Sequence, residues 1–157
     1  MKIKIIAIGR TDDHNLKQLN AGYLSRLKHY AKVELIEIPD LKKVKNLSKD
    51  QQKIKEGELI LNNLEPSDVL VLFDEKGKQF SSREFSNELQ KRMNSGIKSL
   101  VFAIGGPYGF SEEVYIRAQQ KISLSRMTFS HQMVRVFILE QLYRGFSILR
   151  NEPYHHD

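Results

Sequence analysis

The chain has 157 residues, 40% of them hydrophobic and 28% charged, which supports one globular domain with a real core and excludes global disorder. It has no cysteine, so disulfides, thiolate nucleophiles and cysteine metal sites are excluded. A formal net charge of +6 fits a polyanionic partner, nucleic acid first, and equally well a basic protein whose lysines only keep the chain in solution.

Residues 2–8 are rich in isoleucine and alternate, which predicts a strand. This opening is too short and too interrupted for a signal peptide, and no apolar run is long enough for a bilayer, so a cytoplasmic protein without a membrane segment is expected. Residues 16–31 carry Leu16, Leu19, Leu24, Leu27 and Tyr30 at near-helical spacing. Residues 33–38 predict a second strand, closed by Pro39. Residues 40–47 are expected to form a loop, and the lysines at 42, 43, 45, 49, 53 and 55 read first as a solvated loop and helix face. Ser48 is placed to cap a helix to about residue 64, with Ile54, Leu61 and Leu64 inward.

Residues 68–73 form an unbroken apolar strand, the mark of a strand covered on both faces of a parallel sheet. Asp74 and Glu75 at its end could pair for acid–base or metal chemistry, but read more simply as turn residues, and no histidines stand near them for a transition metal. Ser81-Ser82-Arg83-Glu84 is a capping box for a helix to about residue 94. Residues 100–104 predict a fourth buried strand, and Ser111 a short helix with Glu112 and Glu113 at its positive end. Residues 121–124 predict a short fifth strand, and Ser130 caps a last helix to residue 149. Strands alternate with helices, so the class is α/β with a mostly parallel sheet and helices on both faces. The last helix is apolar around nearly its whole circumference, which predicts burial on two sides and points to a homodimer. Glu140 and Arg144 stand at i and i+4 in the favourable order for an ion pair.

Gly105-Gly106-Pro107-Tyr108-Gly109 follows the fourth strand, far from the N-terminus, where dinucleotide-binding folds place their glycine turn. It does not match G-x-G-x-x-G. No P-loop and no G-x-S-x-G exists in the chain. Such a turn either joins strand to helix or lets a ligand approach bare backbone. His14 and His29 lie in polar surroundings. His131 opens the last helix, a position that suits solvent exposure, titration or phosphate contact. Tyr154-His155-His156 reads either as a loose tail or as a cover over a site.

Four blocks in order carry a family resemblance: Gly105-Gly106-x-x-Gly109-Phe110; Leu124-Ser125-Arg126-Met127-Thr128-Phe129-x-His131-Gln132; Glu140-Gln141-x-Tyr143-Arg144; and Glu152-Pro153-Tyr154-His155. Together they resemble the bacterial ribosomal RNA large-subunit methyltransferase H family of the SPOUT superfamily, over the whole of residues 1–157. The resemblance implies a single domain with a C-terminal trefoil knot, a rare exception to unknotted folds. It implies a homodimer that moves a methyl group from S-adenosylmethionine to N3 of a pseudouridine in the 23S rRNA of the assembled ribosome, with no metal. The implied cofactor residues are Phe73, Gly105, Leu124, Ser125, Arg126, Met127, Thr128 and Phe129. The candidates on the substrate side are His131, Arg135, Arg144, Tyr154 and His155. Of these, Tyr154 and His155 are expected to touch the target nucleotide and Arg144 a phosphate. The sequence departs from the family pattern at Ser130, where a proline is common, and at Pro107 and Tyr108, where a small residue commonly follows the paired glycines.

Overall fold

The structure, a computed structural model, describes residues 1–156. Five strands form one sheet: β1 (Lys2–Ile8), β2 (Val33–Ile38), β3 (Val69–Gln79), β4 (Ser99–Ile104) and β5 (Gln120–Ser123). Their order is β2-β1-β4-β3-β5 and every pairing is parallel. The helices are α1 (His14–Leu27), α2 (Lys49–Leu61), α3 (Ser82–Asn94), α4 (Glu112–Arg117) and α5 (His131–Leu149).

Alternate residues of the strands feed two cores, one on each face. Ile3, Ile5, Val71, Phe102 and Ile122 pack with Leu27 of α1, Leu89 of α3 and Leu139 and Leu142 of α5. Ile6, Leu70, Leu72, Val101 and Ala103 pack with Ile60 of α2 and Val114 of α4. Each such buried side chain contributes roughly 1.5–3 kcal/mol, and both faces must be covered because the strands are apolar on both. The expected α/β class with helices on both faces is what the chain adopts.

Local signals set most boundaries. Ser48 and Ser81 each close a capping box, with Gln51 and Glu84 returning the bond. Ser130 caps α5, its hydroxyl accepting from the Met133 N–H, so serine at this departure from the family pattern still fixes the helix start. Three expectations are corrected. The first helix starts before residue 16, because Asp13 caps it, and it ends at Leu27, short of residue 31. In α2, Ile54 faces solvent at 46% exposure, while Glu56, Gly57 and Ile60 turn inward. The strand expected to stop at residue 73 continues to Gln79, and Ile122 of β5 pairs with both Phe73 and Lys78. The residues between them bulge out of the ladder, a device common beside functional sites. Gly77 is required there, since a Cβ would stand 2.7 Å from the Ile122 Cα.

Val136, Ile138, Leu139, Leu142 and Phe146 of α5 are buried within the chain, while Met133, Phe137, Tyr143 and Ile148 are only partly buried. It lies on the sheet with α1 and α3 on its flanks. Because all strands run parallel, their C-terminal ends share one edge, the edge at which open α/β sheets place ligands.

Candidate functional site

At that edge a cleft of about 590 Å³ opens between three loops. One wall is the glycine turn after β4. The Gly109 N–H donates to the Gly106 carbonyl at 3.1 Å, with Gly109 in the left-handed region at φ +82. A Cβ on Gly105 would crowd the Gly109 backbone at 3.3 Å. The second wall is residues 123–129, which brace themselves: Ser123 Oγ donates to the Ser125 carbonyl at 2.9 Å, and Ser125 Oγ accepts from the Met127 N–H at 3.0 Å. The third is the β3 bulge. Asp74 accepts from the Lys76 N–H at 2.8 Å and from the Tyr115 hydroxyl. Burial and that carboxylate push the Tyr115 hydroxyl up to about 12.

Phe73, Gly105, Leu124, Ser125, Arg126, Met127, Thr128 and Phe129 all line this one cleft, together with His131. Segments separated by tens of residues in sequence thus meet at one cleft. The volume lies within the range of roughly 300–1,000 Å³ typical of small-molecule sites. The chemistry of the lining suits a nucleoside bearing a sulfonium: bare backbone at the glycines, aromatic faces at Phe73 and Phe129, and the carboxylates of Asp74 and Glu75 at the lip. The His131 imidazole is held below its ordinary value by burial and by the Arg135 charge. It is therefore neutral at pH 7.

A second cluster lies along the C-terminal half of α5. Arg144 Nε donates to Glu140 Oε1 at 2.9 Å, the ion pair expected from the spacing. Its guanidinium stands 4.7 Å from the Tyr154 ring centroid and 3.3 Å from His155 Nδ1. The Tyr154 hydroxyl donates to Glu140 at 3.2 Å, and its ring meets Tyr143 edge-on at 4.6 Å. Tyr30 stacks on Phe146 and donates to Glu152. The tail is therefore packed, not loose. Burial, Tyr23 and Glu140 raise the Tyr154 pKa, so its hydroxyl stays protonated.

The family described as "Predicted SPOUT methyltransferase" matches residues 1–155. This chain belongs to the SPOUT methyltransferase family. A protein of Flavobacterium johnsoniae named "Ribosomal RNA large subunit methyltransferase H" is 66% identical over 156 residues, covering 99% of each chain. One of the same name from Parabacteroides distasonis is 58% identical over the full length of both. Among solved structures, the tRNA (m1G37) methyltransferase of Aquifex aeolicus superposes with a TM-score of 0.58 at 16% identity, over 100% of this chain and 76% of that one. The fold is thus shared at low identity. After β5, at one edge of the sheet, the chain turns back as α5 to pack between α3 and α1 and against β4.

Within this SPOUT chain one candidate falls outside both clusters. Arg135 is 1% exposed and reaches inward, not toward a substrate. It donates to the Ile8 carbonyl, Thr11 Oγ1 and Glu37 Oε1 at 2.8–2.9 Å. Beside it, Gln132 accepts from the Asp12 and Asp13 N–H groups. These bonds tie the start of α5 to the ends of β1 and β2, and so hold His131 at the cleft. The sequence could not separate a buried tie from a reactive arginine, since both are arginines at a helix start. Glu56 was missed for the opposite reason. It stands on a helix whose inward side the sequence assigns to Ile54, Leu61 and Leu64, yet it is 3% exposed and lies directly behind Gly106, with Oε2 unpaired. Among the described residues no group of three metal-ligating side chains exists, and no helix is long and apolar enough to cross a membrane.

Proposed function

We propose that this chain is a single-domain, S-adenosylmethionine-dependent methyltransferase of large-subunit ribosomal RNA. Its target is N3 of a pseudouridine in the 23S rRNA of the assembled ribosome, and it acts as a homodimer in the cytoplasm. The observation that carries this reading is the convergence of the glycine turn, residues 123–129 and the β3 bulge on one cleft at the C-terminal edge of a parallel sheet. The relatives named for rRNA methylation match over the same full length.

S-adenosylmethionine, when bound, supplies an electrophilic methyl group. The chain's own residues supply position and proton handling. An imide nitrogen such as N3 is a good nucleophile only after losing its proton, so a base and an aligned geometry are the needs. His131, neutral and in the cleft, is able to accept a proton; Tyr154, kept protonated, is not. Arg144 is able to hold a phosphate or favour a developing negative charge on the base.

The homodimer is supported by a separation. His131 and Arg144 are 13 positions apart on α5, which corresponds to about 20 Å along the axis. One nucleotide cannot be gripped by the tail cluster of a chain and reach the cleft of the same chain by a direct line across that span. A second copy brings a tail cluster to the cleft. The test is transfer of a labelled methyl group to ribosomes that lack the modification, followed by nucleoside analysis. Label on a 23S pseudouridine supports the proposal; label on tRNA or on ribose, or none at all, rejects it.

A further inference from the structure

The run of lysines that the sequence left as a solvated face ends at the mouth of the cleft. Lys49, the first residue of α2, stands with its ammonium 5.4 Å from the Tyr108 ring centroid. Tyr108 lines the cleft, as does Lys53 one turn further along α2, and 44% of Tyr108 is open to solvent. Upstream, Lys42, Lys43 and Lys45 are exposed on and before the 3-10 turn Val44–Asn46. Lys45 lies no more than about 14 Å from Lys49, the reach of the intervening chain.

Among the described residues, four of the lysines on this edge lack a carboxylate partner. Lys53 pairs with Asp50 at 3.0 Å, but among the described residues none of Lys42, Lys43, Lys45 and Lys49 is in an ion pair. Of the acids near this edge, Glu56 is buried behind Gly106, Asp40 is exposed beside Gly9, and Asp50 is exposed and pairs with Lys53. An exposed aromatic ring beside cations that lack a carboxylate partner fits single-stranded nucleic acid, whose bases stack and whose phosphates pair. A duplex fits poorly, because a base held in a stack cannot enter a cleft without being extruded.

We propose that the edge formed by residues 42–49, with Tyr108 at its inner end, is the surface along which a single-stranded segment of the RNA substrate lies while the target base enters the cleft. The lysines neutralise phosphates flanking the target and Tyr108 stacks on a neighbouring base. This rests on the rRNA methyltransferase reading, but concerns where RNA binds and not what is done to it.

The test is co-sedimentation of the full chain with unmodified ribosomes over a series of KCl concentrations, alongside calorimetry with S-adenosylmethionine. The triple variant Lys42→Glu, Lys45→Glu, Lys49→Glu should bind ribosomes at least tenfold more weakly. Its slope of log affinity against log salt should fall by about 2, since each single-strand phosphate contact contributes roughly 0.7. None of the three lines the cleft, so donor affinity should stay within twofold, which also reports that the variant is folded. Arginine at the same three positions should restore binding. Tyr108→Leu should weaken binding severalfold with the slope unchanged, because a stacking contact carries no charge. A triple variant that keeps donor affinity, ribosome affinity and salt slope overturns the proposal. A wild-type chain that binds ribosomes through this edge but leaves no label on 23S rRNA supports the surface and rejects the reaction.

Discussion

Gly106 rests against the buried carboxyl group of Glu56: a Cβ at position 106 would stand 2.6 Å from the Glu56 Cδ. A wall of the cleft is therefore one backbone thick, with a helix side chain directly behind it. Gly106→Ala should push the turn into the cleft or displace α2. The expected cost is about 1–3 kcal/mol of stability, as for other overpacked sites, with donor affinity down at least tenfold by calorimetry. Gly22→Ala is the control, since nothing lies within 4 Å of a Cβ there. It should stabilise α1 by up to about 1 kcal/mol. Equal effects of the two on donor affinity would defeat the explanation.

Glu56 gives a pH signature. Burial, with Asp40 nearby, raises its carboxyl group above the ordinary 4.5, although Gln52 donates to it at 2.9 Å. The folded chain then holds a proton that the unfolded chain has released. Stability from this group is complete below pH 4.5 and is lost as pH rises through the folded value. Glu56→Gln keeps the shape and removes the titration. Its melting temperature relative to wild type should climb between about pH 4.5 and pH 7; a constant difference across that window would show that Glu56 does not titrate abnormally.

The two arginines of α5 should separate by readout. Arg135→Ala leaves Glu37 without its partner and removes three bonds in the core. Urea denaturation should report a loss of about 3–5 kcal/mol, the range for breaking a buried pair. Arg144→Ala breaks a partly exposed pair and should cost no more than about 1 kcal/mol, while lowering kcat/KM for ribosomes at least tenfold with donor affinity intact. The reverse pattern would exchange the structural and functional roles assigned to them.

His131 should shape the acid limb of the pH–rate profile. Its pKa is depressed from 6.5, so the neutral base is present throughout the neutral range and is lost only below that value. The limb of kcat/KM for ribosomes should therefore fall below pH 6.5 and disappear in His131→Gln. A limb that persists unchanged in that variant would assign the proton to another group.

If clefts and tails cooperate between subunits, variants should complement. Mixed Gly106→Ala and Arg144→Ala chains, each nearly inactive, should regain up to about a quarter of wild-type turnover through heterodimers carrying one intact cleft and one intact tail. No recovery in a mixture shown by sedimentation to contain heterodimers would put both groups in one chain.

Much of this fold could be read from the chain, for a physical reason. Buried parallel strands such as β4 are continuous apolar runs, and the boxes at Ser48 and Ser81 satisfy helix N–H groups through contacts three residues apart. The cleft residues were reachable only by resemblance, because residue 105 and residues 124–129 meet through the sheet order and not through any local pattern. What stayed hidden was set by tertiary contact alone. Asp74 and Glu75 are polar and read as turn residues, yet the strand runs on to Gln79 and β5 pairs with Lys78 and Gln79 beyond the bulge. Glu56 is a charged residue on a helix whose inward face is chosen by the glycine turn behind it.

The sheet order has a kinetic consequence. The first strand is completed by β4, Lys2 pairing with Ser99, and the start of α5 is then pinned by Arg135 to Ile8 and Glu37. Such long-range closures make for slow folding, because loop entropy is lost before the contacts form. Ligand affinity should therefore be the last property regained in refolding, well after helical signal returns, and the newly collapsed chain should pass through a stage that is compact yet blind to its donor.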